Sequence, residues 1–332
     1  TAYRKSGRPY PALRVYVHAP DGWRVVSGWR GEGDLFEPDD GDDLLGSTLA
    51  AAADFRLYEG STGGASWRLA IRGRRYFDDS TLTATIRASI GRAADLLGPS
   101  PTATVTYTGD LGRKGRTSGS LQGKSSIGLL WEPGEVLELA RSHDLFHETL
   151  HLWFGGLMES ERWWIEGVTD YVAARLFAAW QERPDDLAHL CYQSLRNYQG
   201  IEHRTRLTMA EENNRRMGGD NTDLLVYRKG MLAGLLLDAA IRQGTNDRRS
   251  LDDVSRRLLQ IAQTRTSRMV RETEIRDAVV STGGEAARRV WARVVDGTEA
   301  ITEDDVSAAL QTVTGRAFAP PALAKGRKEL VR

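Results

Sequence analysis

Five consecutive residues, His147-Glu148-Thr149-Leu150-His151, constrain this 332-residue chain more than any other stretch. Histidines at positions i and i+4 stack on one face of an α-helix, where both imidazoles can grip a single metal ion. Glu148 stands beside them, placed to take a proton from a metal-activated water. Val136, Leu139, Phe146, Leu150 and Trp153 recur at helical spacing around the motif, which predicts a buried helix over roughly 134–154. The competing reading is an amphipathic helix whose two histidines coincide by chance, and the surrounding residues weigh against it.

A catalytic zinc takes three protein ligands and leaves one position open. The single Cys191 excludes a cysteine zinc site and an internal disulfide, so the third ligand comes from His, Asp or Glu. Glu166 is the first choice. It lies 15 residues after His151, room for a turn and an antiparallel return, on a helix expected from about Ser160 to Trp180. Trp163, Trp164, Ile165, Val168, Tyr171 and Val172 surround it, and carboxylates in such company need partners. Asp170, one turn further along, suits the far ring N–H of a zinc-bound histidine. Glu159 and Glu161 in the connector are rival ligands. His143, one turn before His147, offers a third nitrogen, but a structural histidine is the simpler reading. A third histidine six residues after His151 is absent, because Leu157 stands there. An oxyanion donor should be a Tyr or His from another element. Tyr227, one of ten tyrosines, on an apolar helix expected over 223–243, leads that field, with packing as its alternative role.

Formal net charge is zero and the pI about 7.0, so no global field favours nucleic acid or an anionic membrane. No apolar run approaches the ~20 residues of a membrane span. The chain opens on Thr1 rather than methionine, which raises the expectation of a processed, exported or periplasmic bacterial protein. Nothing in the sequence signals an oligomeric state.

The pattern of elements predicts an α+β chain in three parts. Residues 1–75 read as a small β-rich region, with strands at Leu13–Val17, Trp23–Val26 and Trp67–Ile71 and a Gly/Asp-rich loop over 28–48. Residues 76–235 form the catalytic part. Ser80 is expected to cap a helix to Leu97, followed by strands at Thr102–Tyr107 and Ser125–Trp131. The Gly/basic loop between those strands lacks the Gly-Lys-Ser/Thr ending of a phosphate cradle. The stretch 181–221 reads as polar and irregular, interrupted by short helices. Residues 236–332 read as all-helical, with a capping box at Ser250/Asp253, helices near 269–281 and 285–296, and a last helix capped by Thr302 and Asp305 and ended by Gly315.

The runs HETLHLWFGG, WWIEGVTDY and VYRKGMLAGLLLDAAIRQGTNDRRSLDDV together resemble the gluzincin zinc metallopeptidases. They are most similar to the glycyl aminopeptidase family, related to alanyl aminopeptidase and leukotriene A4 hydrolase. The phrase Val295-Asp-Gly-Thr-Glu299 is also similar to that family's C-terminal helical region. The resemblance covers about 65–315 and is strongest from 143 onward. It implies a thermolysin-like α+β catalytic subdomain, one zinc ion bound by His147, His151 and Glu166, Glu148 as general base, Tyr227 as oxyanion donor, and a peptide or protein substrate.

Two departures from the family pattern bear on what is cut. Relatives carry Gly-x-x-Glu on a strand before the motif helix, its glutamate binding the substrate's free α-amine. Here the matching stretch is Gly119-Ser-Leu121-Gln122. A neutral amide gives little charge attraction to an ammonium, which leaves aminopeptidase and endopeptidase action both open. The spacing to Glu166 is also short and no PDZ-like region is visible, so a trimmed, more open rim is expected. Substrate would lie extended beside the 119–131 edge strand, adding backbone hydrogen bonds. The alternatives to peptide hydrolysis are a zinc- or peptide-binding scaffold without turnover, and hydrolysis of a non-peptide substrate such as an epoxide.

Overall fold

Glycine placement decides the first surprise of the N-terminal part. The computed structural model describes residues 13–73, 78–111, 118–122, 124–131, 139–154, 161–215, 223–265 and 269–320. Within it, β1 (Val15–Tyr16) and β2 (Arg24–Ser27) precede a hairpin of β3 (Arg30–Glu32) and β4 (Leu35–Glu37), and then α1 (Gly41–Gly46) and β5 (Leu49–Ala52). The stretch 28–48, expected to be loop, therefore holds two strands and a helical turn. Gly31 and Gly33 have positive φ, and a Cβ on Gly31 would sit 2.2 Å from Leu35 O, so the glycines are hairpin residues. Asp40 caps α1 by accepting from Asp43 N at 2.8 Å.

The larger sheet follows. β6 (Arg56–Thr62) and β7 (Ala65–Ile71) pair antiparallel across Gly63-Gly64, α2 spans Asp79–Leu97, and β8 (Thr104–Leu111), β9 (Ser118–Gln122) and β10 (Ser126–Trp131) complete it. Its order is β6-β7-β8-β10-β9, with β8 parallel to both β7 and β10 and β9 antiparallel on the edge. The sheet thus includes strands from either side of residue 75. α2 is capped by Asp78 rather than Ser80, since the Asp78 carboxylate accepts from both Ser80 N and Thr81 N.

Both faces of the sheet are covered, which suits its parallel centre. Leu69, Ile71 and Tyr107 share one face and are wholly buried, as are Leu82, Ile86 and Ile90 of α2. Ala70 points the other way, into a cluster with Val26, Ala52 and Phe55 from the β2–β5 ribbon. Thr106 Oγ1 donates to Ser27 O at 2.7 Å and Ser125 Oγ to Gly28 O at 2.7 Å, pinning that ribbon to the sheet. The last element here is α3 (Leu139–Phe154), in contact with α2 and β9. Residues 132–138, including Val136, lie outside the described residues.

The chain divides into two units, Thr1–Gly155 and Gly156–Arg332, and the second is helical. It opens with a π-helical turn, Trp163–Val168, that runs on as α4 (Thr169–Trp180). Then come α5 (Pro184–Gln199), α6 (Met209–Arg215), α7 (Asp223–Thr245), α8 (Leu251–Gln263), α9 (Glu272–Val294) and α10 (Glu303–Thr314). The capping boxes at Ser250/Asp253 and Thr302/Asp305 form as expected. One expectation is corrected and another met. The stretch 181–221 contains a 16-residue helix, α5, announced by Pro184 at its first turn with Asp185 and Asp186 behind it. The two helices expected near 269–281 and 285–296 are both present as the halves of α9, separated by a kink where Gly284 takes φ 64° and ψ −146°.

α7 is the axis of this unit and touches every other helix in it. Its closest crossing is with the π turn, glycine against glycine. A Cβ on Gly167 would lie 2.4 Å from Gly230 Cα, and one on Gly230 would lie 2.7 Å from Trp163 O. A single carboxylate, Asp238, then joins three helices. It accepts from Tyr171 Oη at 2.6 Å on α4, from Arg242 Nε at 3.2 Å on α7 itself, and from Leu251 N at 2.9 Å at the start of α8. Among the described residues no helix is long and apolar enough to cross a membrane.

The glycine crossing sets the first test. Gly230→Ala should destabilise the protein by about 1–3 kcal/mol, because only backbone atoms are there to yield. Gly91→Ala in α2, whose Cβ would meet nothing closer than Thr62 Oγ1 at 3.4 Å, should be neutral or stabilising by up to about 1 kcal/mol. Thermal unfolding of the two variants, melting in that order, is the check.

Candidate metal centre

α3 has two working faces. Phe146, Leu150 and Trp153 are buried, and Trp153 Nε1 donates to Gly98 O at 3.1 Å, so the helix is tied to the end of α2. On another face His147 and His151, both more than nine-tenths buried, bring their Nε2 atoms to 2.9 Å with ring planes at 84°. Two nitrogen lone pairs that close repel unless a proton or cation lies between them, so the pair is held either by an N–H···N hydrogen bond or by a shared cation. Glu148 follows His147 at partial exposure. His143, also buried, has Nδ1 3.8 Å from Asp144 Oδ1.

The remaining ligand candidates belong to the second unit. Glu166 sits half-buried in the π turn, between the buried Trp164 and Gly167. A regular helix was expected here. Instead Thr169 N reaches back five residues to Trp164 O as well as to Glu166 O, and the wider turn changes how Glu166 projects relative to Asp170. π turns of this kind recur at functional sites. Asp170 is buried at the start of α4, with Arg228 NH1 of α7 3.7 Å from its Oδ2. Tyr227 is half-buried on α7, one residue before that arginine. Of the rival ligands, Glu161 is buried ahead of the π turn, and Glu159 lies outside the described residues.

On the edge strand, cross-strand register separates the three substrate-side candidates. Leu121 pairs with Ile127, which pairs with Tyr107, so Leu121 shares the face that carries α3. Gln122 pairs with Ser126 and projects to the opposite face, its Nε2 3.4 Å from Ser120 Oγ and its amide laid across Gly128. Gly119 contributes backbone opposite Leu129.

Two polar groups here escaped the sequence reading. Thr149, inside the motif, has its hydroxyl between Ser89 Oγ and Tyr107 Oη at 3.0 Å each. Lys229 is fully buried on α7, its Nζ donating to Gly297 O at 3.3 Å. Burial pushes its pKa down to about 8 against the pull of Glu212, itself buried with His203 Nε2 3.4 Å away. A lysine two residues after Tyr227, heading an unbroken apolar run, was a visible signal for it.

No family model matches the sequence, and no curated protein does. Solved structures do match. The aminopeptidase N family protein from Idiomarina loihiensis superposes with a TM-score of 0.76 at 18% identity, over 90% of this chain and 57% of that one. The M1 zinc metallopeptidase from Deinococcus radiodurans gives 0.56 at 15% identity, over 85% and 63%. A variant of it bound to the substrate Tyr-Ser-Ala gives 0.56 at 16%, over 87% and 64%. At these identities the likeness shows the fold. The chain spans between 57% and 64% of the length of these neighbours.

Lys229 supplies a pH test. An unfolded lysine titrates near 10.4, the folded one near 8, so the fold disfavours its charged form. The penalty is complete below pH 8 and fades as pH rises through 8 to 10.4. Urea unfolding at pH 7.5, 9 and 10.5 should therefore show wild type gaining on Lys229→Met by up to about 3 kcal/mol across that window. A gap that is flat or moves the other way contradicts the assignment.

Proposed function

We propose that this chain is a zinc-dependent peptidase of gluzincin type, with one zinc ion held by His147, His151 and Glu166. The observation that carries the reading is the pair of buried imidazoles whose Nε2 atoms face each other at 2.9 Å on α3. The donor set, two imidazole nitrogens and one carboxylate oxygen, is that of a catalytic zinc. The fold shared with zinc peptidases supports it, as does the resemblance to the glycyl aminopeptidase family.

Zinc, when bound, would polarise a carbonyl and make a water molecule a nucleophile at neutral pH. Glu148 then takes the proton from that water and passes it to the departing amine. Tyr227 donates a hydrogen bond to the carbonyl oxygen as negative charge develops there. Asp170 would accept from the far ring N–H of a ligand histidine and so fix its tautomer. The substrate is a peptide, as in the Deinococcus enzyme solved with Tyr-Ser-Ala, and it pairs with β9, the outer strand of the sheet among the described residues.

Purified protein should contain one zinc ion per chain and cleave members of a peptide library. Glu148→Gln should keep the zinc and lose about 10²–10⁴ in kcat; full activity in that variant would falsify the mechanism. Tyr227→Phe should lower kcat about 10²–10³-fold at unchanged zinc content. Zinc binding with no cleavage of any peptide would favour the scaffold alternative.

Gln122 favours a second reading in which internal bonds are cut. Comparing free and acetylated N-termini separates the two modes. Retained cleavage of acetylated peptides supports endopeptidase action, and loss of it supports trimming from the N-terminus.

A further inference from the structure

Thr149 stands inside the metal motif but points away from it. At about 100° per residue its side chain lies about 180° from the mean direction of His147 and His151. There its buried hydroxyl meets Tyr107 Oη of β8 and Ser89 Oγ of α2, each at 3.0 Å. Ser89 spends its one proton on Ile86 O, 2.9 Å away. Thr149 must then donate to Ser89 and accept from Tyr107. The chain of hydroxyls runs one way, from the central strand through α3 to a carbonyl of α2. Burial holds the Tyr107 phenol well above its usual range, so it keeps the proton it donates.

Such a link does what apolar packing cannot. Leu145, Phe146 and Leu150 bury area on α3, but burial is non-directional and tolerates small rotations of the helix. An atom at the rim of a helix, about 5–6 Å from its axis, moves about 1 Å for a rotation of about 10°. Catalytic groups must be held to within about 0.5 Å. A directional contact on the far side of the helix is the natural place to remove that freedom.

We propose that Tyr107, Thr149 and Ser89 are positioning residues, whose hydroxyl chain sets the rotation and depth of α3 and hence where His147, His151 and Glu148 stand. This rests on the zinc reading above and names the residues that tune it. None of the three touches the substrate or the metal.

The test uses the full chain with cobalt(II) in place of zinc, and peptide kinetics with the zinc form on the best library substrate. Thr149→Val and Tyr107→Phe should alter the position or intensity of the cobalt visible absorption. They should lower kcat about ten- to a hundredfold with KM unchanged. Thr149→Ser, which keeps the hydroxyl, should restore both. The double variant should be no worse than Thr149→Val alone, since the chain is already cut. Folded variants with wild-type cobalt spectra and kcat, differing only in melting temperature, overturn the proposal. Tyr107→Phe loses a single oxygen, so the test stands even if Thr149→Val does not fold. A wild-type protein that shows no cobalt band overturns the zinc reading itself, and the positioning proposal with it.

Discussion

The constraint on which the rest of the first unit depends is the burial of two facing imidazoles on one helix. Removing polar rings from water costs free energy unless their nitrogens find partners, and at 2.9 Å these two find each other only through a proton or a cation. α3 can present them only if something else holds it in place. Phe146, Leu150 and Trp153 do so by burying apolar area, each contributing roughly 1.5–3 kcal/mol. The sheet and α2 are the surface against which that area is buried. Covering both sheet faces, with Ala70 turned toward the β2–β5 ribbon and Leu69 and Ile71 toward the helices, leaves this platform little room to shift.

The second unit solves a different problem, holding α7 at a fixed crossing with the π turn. Gly167 and Gly230 let two backbones approach to a separation any side chain would forbid. Asp238 adds what close packing lacks, a set of directional bonds from α4, α7 and the first turn of α8 to one carboxylate. Arg175, bonded to Asp252, continues the network at the same corner. Such groups are costly wherever they are left unsatisfied, so alternative packings of these apolar helices carry a penalty that the native one avoids.

Local signals explain what the sequence made legible. The i,i+4 histidines, the capping boxes at Ser250 and Thr302 and the stop at Gly315 each depend on residues within one or two turns, and each was readable. Failures had two causes, local signals given the wrong weight and deciding contacts distant in sequence. The hairpin at 30–37 looked like loop because its glycines serve a turn. α5 was lost although Pro184 and a stripe through Leu187, Leu190, Cys191, Leu195 and Tyr198 announce it; the polar residues between them outweighed the stripe. The π turn packs against Gly230, 63 residues from Gly167, a contact that no local pattern encodes. The partners of Thr149 lie 60 and 42 residues away in sequence, which is why a motif threonine looked like filler.

Under the proposed peptidase reading, substrate choice turns on Gln122. An ammonium facing a carboxylate gains attraction between two full charges, whereas facing a neutral amide it keeps a charge-assisted hydrogen bond but no ion pair. Gln in place of Glu at an amine anchor therefore lowers the preference for a free N-terminus without abolishing it. That weakens an exopeptidase without by itself making an endopeptidase. The register adds a separate effect. Gln122 shares its sheet face with Ser120, Ser126 and Gly128, opposite the face that carries α3, and its amide rests across the bare Cα of Gly128 beside Ser120 Oγ. An amide held there is turned toward its own sheet, so backbone pairing along β9 gains weight in binding relative to recognition of a chain end. Backbone pairing is indifferent to where along a peptide it occurs. Under the proposed peptidase reading, the balance between trimming and internal cleavage would be set by how many backbone hydrogen bonds the substrate makes with this strand, more than by the charge at its first residue.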